Sequence, residues 1–247
     1  GLITEMDKVG NIGEIKTGRR QKITVSVRAA AASLKSNKFI EVRNANGEYI
    51  SLVDKDHEFN RQLNGIYRTK DDRWVLPHFG LNHLRDRMLG LLGAYPDRLS
   101  ILKAVSKWNA IDLENAIAQG NLCGGMIRTN SEWLAEPHGK VLSKKPVIEI
   151  IKIGQSDPEP IPRGMRPLNG VRVLDLTRIL AGPIAARTLA EHGADVLMVT
   201  AEKLPQVHAY VADTSHGKRS CFLDIKNNEG ATQLRRLVSG ADIFSQG

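Results

Sequence analysis

The chain has 247 residues, 41% of them hydrophobic and 25% charged, and a formal charge of +8. That composition excludes a disordered tail, a collagen-like fibre and a disulfide scaffold, and the length suits one large domain or two modest ones of roughly 100 to 200 residues. The longest apolar stretch, Ile179 to Ala186, is far short of the roughly 20 residues a membrane-spanning helix needs, so no membrane partner is expected.

The cationic excess, 35 Lys and Arg against 27 Asp and Glu, is scattered, with Arg19, Arg20 and Lys22 in one cluster and Arg235 and Arg236 in another. With no long basic run and only 5% aromatics to stack on bases, it suits a phosphorylated small molecule better than a nucleic acid. Cys123 and Cys221 have neither CxxC nor Cys/His spacing, so neither a metal site nor a disulfide is expected, and the compartment reads as reducing. The opening GLITEM has no initiator Met and no basic-then-apolar leader, which reads as no signal peptide and a truncated start.

In chain order, Gln21 to Val27 alternates as a strand does. Gly65 to Arg68 and Arg73 to Pro77 are strand-like pieces about a turn at Lys70 to Asp72. Leu81 to Leu92, Leu99 to Trp108 and Ile111 to Ala118 carry apolar positions at helical spacing. Asp157 to Pro167 holds four of the ten prolines and reads as a linker. Beyond it, Val171 to Leu176 is the short apolar run of a strand buried on both faces. A helix over Ile184 to His192 follows, with Pro183 in its first turn and Gly193 closing it. Ala194 to Val199 and Cys221 to Ile225 read as further strands, Asn228 caps a helix through Ser239, and Ala241 to Phe244 begins another strand. Strand and helix alternating with short loops predict a parallel α/β sheet of the nucleotide-binding type.

The loop Thr177 to Pro183 joins a strand's carboxyl end to a helix, where open α/β sheets receive ligands, and Ala181 and Gly182 let backbone approach closely. It is neither GxGxxG nor a Walker loop, so a tight structural turn and a cofactor loop both stay open. Lys218 and Arg219 offer two cations for phosphate, or else a solvated pair at a strand start. Asp175 reads as acid, base or nucleophile, or as a carboxylate capping its loop or pairing with Arg178. His78 and His83 lie five apart and share no helical face, His216 is a turn residue, and Trp74, Trp108 and Trp133 read as core fillers. There is no GxSxG, no HExxH and no paired carboxylate, so no catalytic residue is assigned.

Three segments together, RPLNGVRVLDLTRILAGP (166–183), LAEHGADV (189–196) and GKRSCFLDIK (217–226), closely resemble the family III CoA-transferases of the CaiB/BaiF type. That group includes formyl-CoA transferase, carnitine CoA-transferase and α-methylacyl-CoA racemase. The earlier segments TGRRQKITVSV (17–27), GIYRTKDDRWV (65–75) and SEWL (131–134) are similar to parts of the family too, but they precede the LDLTR segment here and follow it in the familiar members. The order looks like that of a longer subfamily or a tandem, of which this chain is a part.

The resemblance implies an α/β fold. Residues 1–156 would form a smaller mixed α/β region with a strand of the large domain near 21–27, 157–167 a linker, and 168–247 the start of a Rossmann-like, CoA-binding parallel sheet. It implies an enzyme moving CoA between carboxylic acids through acyl-aspartyl and enzyme-thioester intermediates, with the catalytic Asp beyond Gly247 and this chain catalytically incomplete. An acyl-CoA racemase or isomerase, or a non-catalytic CoA-binding fragment, are the alternatives on the same fold; a dinucleotide oxidoreductase would need the missing glycine fingerprint. By motif, CoA would be held by Ile179, Leu180, Ala181, Leu223, Asp224, Ile225, Lys226 and Gly247. Leu180 stands where formyl-CoA transferase has Gln and Ala201 where it has Arg, so Lys203 is the candidate to restore a phosphate cation. The implied partners are an acyl-CoA, an acceptor acid and a second copy in an interlocked homodimer, with no prosthetic group. The cytoplasm is the default compartment, with mitochondrion and peroxisome left open.

Overall fold

The computed structural model describes residues 2–52, 54–160 and 164–247, with side chains from Val9 onward. The chain packs as two compact units, 1–52 with 158–247, and 53–157. Residues 161–163 of the expected linker lie outside the described residues.

The N-terminal stretch holds α1 (Leu2–Thr17), α2 (Val27–Ser33), a 3-10 turn at Ser36–Lys38, and the short antiparallel pair β1 (Val42–Arg43) and β2 (Tyr49–Ile50). The expected strand over 21–27 is not formed: residues 19–26 carry no regular structure, and Val27 opens α2 with Ser26 as its N-cap. Alternating side chains make a strand only where a neighbouring strand offers hydrogen bonds; here Gln21 and Ile23 lie instead against Gly13 and Gly10 of α1, whose backbone groups are engaged within the helix. The first fifty residues pack with the C-terminal stretch rather than with 53–157. Two ties hold them there. Ser36 Oγ donates to Asp213 Oδ2 (2.6 Å), whose Oδ1 is paired with the buried Arg187 guanidinium (2.6 Å). Lys16 Nζ reaches the backbone carbonyl of Arg166 at 3.4 Å.

The unit 53–157 carries α3 (Lys55–Leu63), the hairpin β3 (Tyr67–Arg68) and β4 (Trp74–Pro77), α4 (Asn82–Leu92), α5 (Arg98–Val105), α6 (Ala110–Gln119), β5 (Gly124–Met126), α7 (Asn130–Ala135) and α8 (Pro137–Leu142). The three strands form one antiparallel sheet in the order β3-β4-β5. Tyr67, Val75, Phe79, Met88, Ile101, Val105, Leu113 and Ile117 fill its core. Local chemistry sets the helix ends: Asp97 accepts from Ser100 N–H (2.8 Å) at the start of α5, Thr129 and Glu132 form a capping box on α7, and Gly93 closes α4 at φ 61°. Trp108 packs against the core as expected, but Trp74 and Trp133 are surface residues. Trp74 alternates with buried Val75 and so faces outward, and Trp133 stacks edge-on against His138 (5.4 Å).

Residues 147–157 have no regular structure, and Val147, Ile148, Ile150, Ile151 and Ile153 are all exposed there, Val147 and Ile153 almost completely (104% and 98%).

The C-terminal stretch alternates β6 (Arg172–Asp175), α9 (Ala181–Glu191), β7 (Asp195–Thr200), α10 (His208–Thr214), β8 (Lys218–Phe222), α11 (Asn228–Ser239) and β9 (Ile243–Ser245). All four strands are parallel, in the order β8-β7-β6-β9. Alternate residues divide the faces: Val173 and Val196 pack on Ala186 and Ala190 of α9, whereas Leu174, Leu197 and Arg219 border a cleft with Arg236 and Leu237 of α11. The strand expected at Cys221 to Ile225 begins earlier, at Lys218, because that residue's ammonium finds a buried carboxylate and can enter the sheet. No helix among the described residues is long and apolar enough to cross a membrane.

Within the unit 53–157, Glu114 Oε1 accepts from Arg128 Nη1 (2.7 Å) and Met126 N–H (3.0 Å), and the Arg128 hydrogen bond holds the Glu114 carboxyl below the usual carboxylate range. A depressed folded-state pKa stabilises above the unfolded value, about 4.3 for Glu, and that contribution is lost as pH falls through the folded value. Glu114→Gln is expected to cost about 1 to 2 kcal/mol at neutral pH and to flatten the acid limb of stability. Denaturant unfolding followed across pH checks both.

Candidate functional site

Parallel register brings the carboxyl ends of β6, β7, β8 and β9 to one end of the sheet, and the strand order reverses at β6, between β7 and β9. Open α/β sheets bind ligands outside the strands' carboxyl ends at such a reversal. The expected positions fall into four segments there. Ile179 and Leu180 follow β6 and Ala181 opens α9; Ala201 and Lys203 follow β7; Leu223, Asp224, Ile225 and Lys226 follow β8; Gly247 follows β9. Ala201 and Leu223 are half-buried and the other eight are exposed. Three of the exposed ones, Ile179, Leu180 and Ile225, are large aliphatics presented to solvent beside the cations of Arg178 and Lys226. A crevice beside the first loop is lined by Thr177, Ile179, Pro183, Met198, Thr200 and Val211.

The first loop is strained. Ile179 sits at φ 68°, a left-handed conformation that a β-branched residue adopts at a cost of order 1 to 3 kcal/mol. It persists because both flanks are fixed. Asp175, fully buried, accepts from Thr177 N–H (3.0 Å) and from the Thr177 hydroxyl with Oδ1. Its Oδ2 takes the Lys218 ammonium at 2.9 Å, and the same ammonium donates to the Pro183 carbonyl at 2.9 Å. Gly182 closes against Thr177, where an added Cβ would lie 2.3 Å from Thr177 Cβ.

Two readings are corrected here. Asp175 pairs with Lys218 and not with Arg178, which donates instead to the Pro205 carbonyl. Lys218 is not solvated, its side chain being 1% exposed, while its neighbour Arg219 is exposed and pairs with Asp195. The cause is the pleat: Lys218 lies level with Val196 and Val173, so its side chain runs up the α9 face toward Asp175, whereas Arg219 points to the other face. Thr177, Gly182 and Lys218 as a support for the loop are not visible in motif spacing. An Asp ending one strand and a Lys opening another, each followed or preceded by a Gly-containing turn, is the only signal of it.

The third segment is shaped in a similar way. Asp224 Oδ1 accepts from Lys226 N–H (3.0 Å), Asn227 caps α11 by accepting from Gly230 N–H (2.8 Å), and a Cβ on Gly230 would meet the Asp224 carbonyl at 2.0 Å. Among the described residues no cluster of His, Cys, Asp and Glu could hold a metal ion, and no carboxylate stands free in the crevice as a nucleophile.

Residues 168–247 match the family described as CoA-transferase family III. The chain is 29% identical over 199 residues to the acetyl-coenzyme A transferase nodX of Hypoxylon pulicicidum, covering 73% of this chain and 34% of that protein. An acyl-CoA transferase of Gibberella moniliformis is also 29% identical, over 216 residues that cover 78% of this chain and 38% of that protein. The succinate–glutarate CoA-transferase of Agrobacterium fabrum is 38% identical over 101 residues, 34% of this chain and 25% of that protein. The chain thus spans little more than a third of the longest of these matches.

Gly182→Ala is expected to push the loop off Thr177 and cost about 1 to 3 kcal/mol, the usual penalty for overpacking. A lowered unfolding midpoint, against an unchanged one for Gly154→Ala in open space, is the check.

Proposed function

We propose that this chain, whose residues 168–247 match CoA-transferase family III, supplies the coenzyme A cradle of an enzyme that moves CoA between carboxylic acids. One observation carries the reading: the eight positions expected from motif resemblance, together with Ala201 and Lys203, are scattered over nearly seventy residues of sequence, yet all follow carboxyl ends of strands in one parallel sheet. The order β8-β7-β6-β9 is that of a Rossmann-like half, and on this reading 53–157 is the small domain.

In the proposed complex, Ile179, Leu180, Ala181 and Ile225 give apolar contact to the adenine and pantetheine, while Lys203 and Lys226 face the phosphates. Leu180 and Ala201 remove two polar contacts of the formyl-CoA transferase pattern, so the charge of Lys203 counts for more. The chemistry is nucleophilic: a carboxylate attacks the acyl thioester, forming an acyl-enzyme anhydride and releasing CoA thiolate into the same cradle. The thiolate then attacks the enzyme-side carbonyl of the anhydride, expelling the donor carboxylate and leaving an enzyme–CoA thioester. The acceptor carboxylate displaces the thiolate to form a second anhydride, and the thiolate attacks its acceptor carbonyl, leaving as the new thioester and freeing the enzyme carboxylate. This chain's share is to hold the thiol carrier still between the two half-reactions, because proximity is what makes the second attack effectively unimolecular. We place the nucleophilic Asp, and the second copy in a homodimer, in sequence and subunits other than this chain.

Titrating CoA into the chain by calorimetry is expected to show one site whose affinity falls with salt, and Lys203→Ala and Lys226→Ala to weaken it and reduce that salt dependence. An affinity untouched by either substitution removes those lysines from the site. In the full-length enzyme, transfer of label from acyl-CoA to an added carboxylic acid is the expected activity. Exchange of the α-proton with solvent and no transfer would replace it with a racemase.

A further inference from the structure

The structure assigns Lys218 a positioning role: its buried ammonium ties the two ends of the loop 177–183 to one point and so holds Ile179 in the left-handed backbone that presents it to the ligand. The inference rests on the reading of that crevice as the CoA site. Three observations meet in it. First, Lys218 and Asp175 have side chains only 1% and 0% exposed, yet both are charged groups at hydrogen-bond distance. Second, every polar contact of the pair is a loop contact: Asp175 Oδ1 takes Thr177 at the loop's start, and Lys218 Nζ takes the Pro183 carbonyl at its end. Third, the residue between those two anchors is the strained one.

Stability alone does not account for the arrangement. Burying two charges costs about as much as their attraction returns, and well-packed apolar residues in such places are often neutral or better. What an apolar pair cannot do is bind a backbone N–H and a backbone carbonyl six residues apart and fix the distance between them. A strained residue survives only where its surroundings over-determine it, and here Lys218 is the group that joins the Asp175–Thr177 flank to the Pro183 flank. With the ammonium gone, the Pro183 carbonyl and the α9 entrance lose their anchor, Ile179 relaxes toward an ordinary backbone, and the ligand must pay to restore the bound shape.

The test uses the chain as it stands with two variants. Lys218→Met leaves Asp175 buried and unpaired and is expected to lower the unfolding midpoint, so it does not separate folding from positioning. The double variant Asp175→Asn/Lys218→Met removes both charges and keeps an acceptor for Thr177 N–H. It is expected to unfold close to wild type, while binding CoA weaker on the order of tenfold and exchanging backbone amides across 177–184 faster on the order of tenfold. A purely structural pair would not move the last two readouts at an unchanged midpoint. A double variant with CoA affinity within about twofold of wild type and unchanged amide protection overturns the assignment, since preorganisation is then not lost. Absence of CoA binding by the wild-type chain would instead overturn the reading of the crevice, and amide exchange in the double variant would still decide whether Lys218 positions the loop.

Discussion

The parallel pairing of β6 with β7 on one side and β9 on the other is the constraint on which the C-terminal unit depends. It is the one place where the chain, having laid β7 and β8 outward in one direction, must return through α11 to the opposite side. That return leaves the loop after β6 and the residues after β9 without a crossover helix packed between them, and so opens the end of the sheet. The loop after β6 borders this opening on one side, and on its other side, toward β7, it borders the crevice lined by Met198, Thr200 and Val211.

The loop after β6 illustrates how a binding surface is kept ready. Apolar side chains on a flexible loop would fold back onto the protein; Ile179 and Leu180 do not, because the backbone beneath them is held at both ends. Gly182 contributes by its missing side chain, Thr177 by two donors and Asp175 by accepting all of them. The cost is local, a left-handed β-branched residue and a desolvated ion pair, and the gain is a fixed shape before any ligand arrives.

Much of this unit is legible in sequence because its determinants are local. Buried parallel strands read as short apolar runs, Pro183 and Gly193 bracket a helix, and Gly240 closes another whose cap is Asn227, one residue before the Asn228 read from sequence. The same is true of the hairpin about Lys70 to Asp72. What is not legible depends on partners distant in sequence. Gln21 to Val27 alternates correctly and still makes no strand, since pairing needs a neighbour that spacing cannot reveal. Lys218 reads as a solvated cation until the register sets it level with Val173, two residues below Asp175 on the same face. Trp74 and Trp133 read as core because tryptophan usually is, whereas the pleat and a short capped helix turn them outward. The assignment of the first fifty residues to a unit likewise rests on Ser36 and Lys16 meeting groups 177 and 150 residues away.

The bare aliphatic run from Val147 to Ile153 has a consequence for how the protein behaves in concentrated solution. Five branched side chains without cover, in a segment able to form extended backbone, are the composition from which intermolecular β-stacks grow. Its borders carry the usual deterrents: Lys144, Lys145 and Pro146 stand on one side, Pro158 and Pro160 on the other, and Glu149 and Lys152 interrupt the run itself. Like charges repel approaching copies, and proline cannot donate to a growing ladder, so the stretch is sticky in its middle and guarded at its margins.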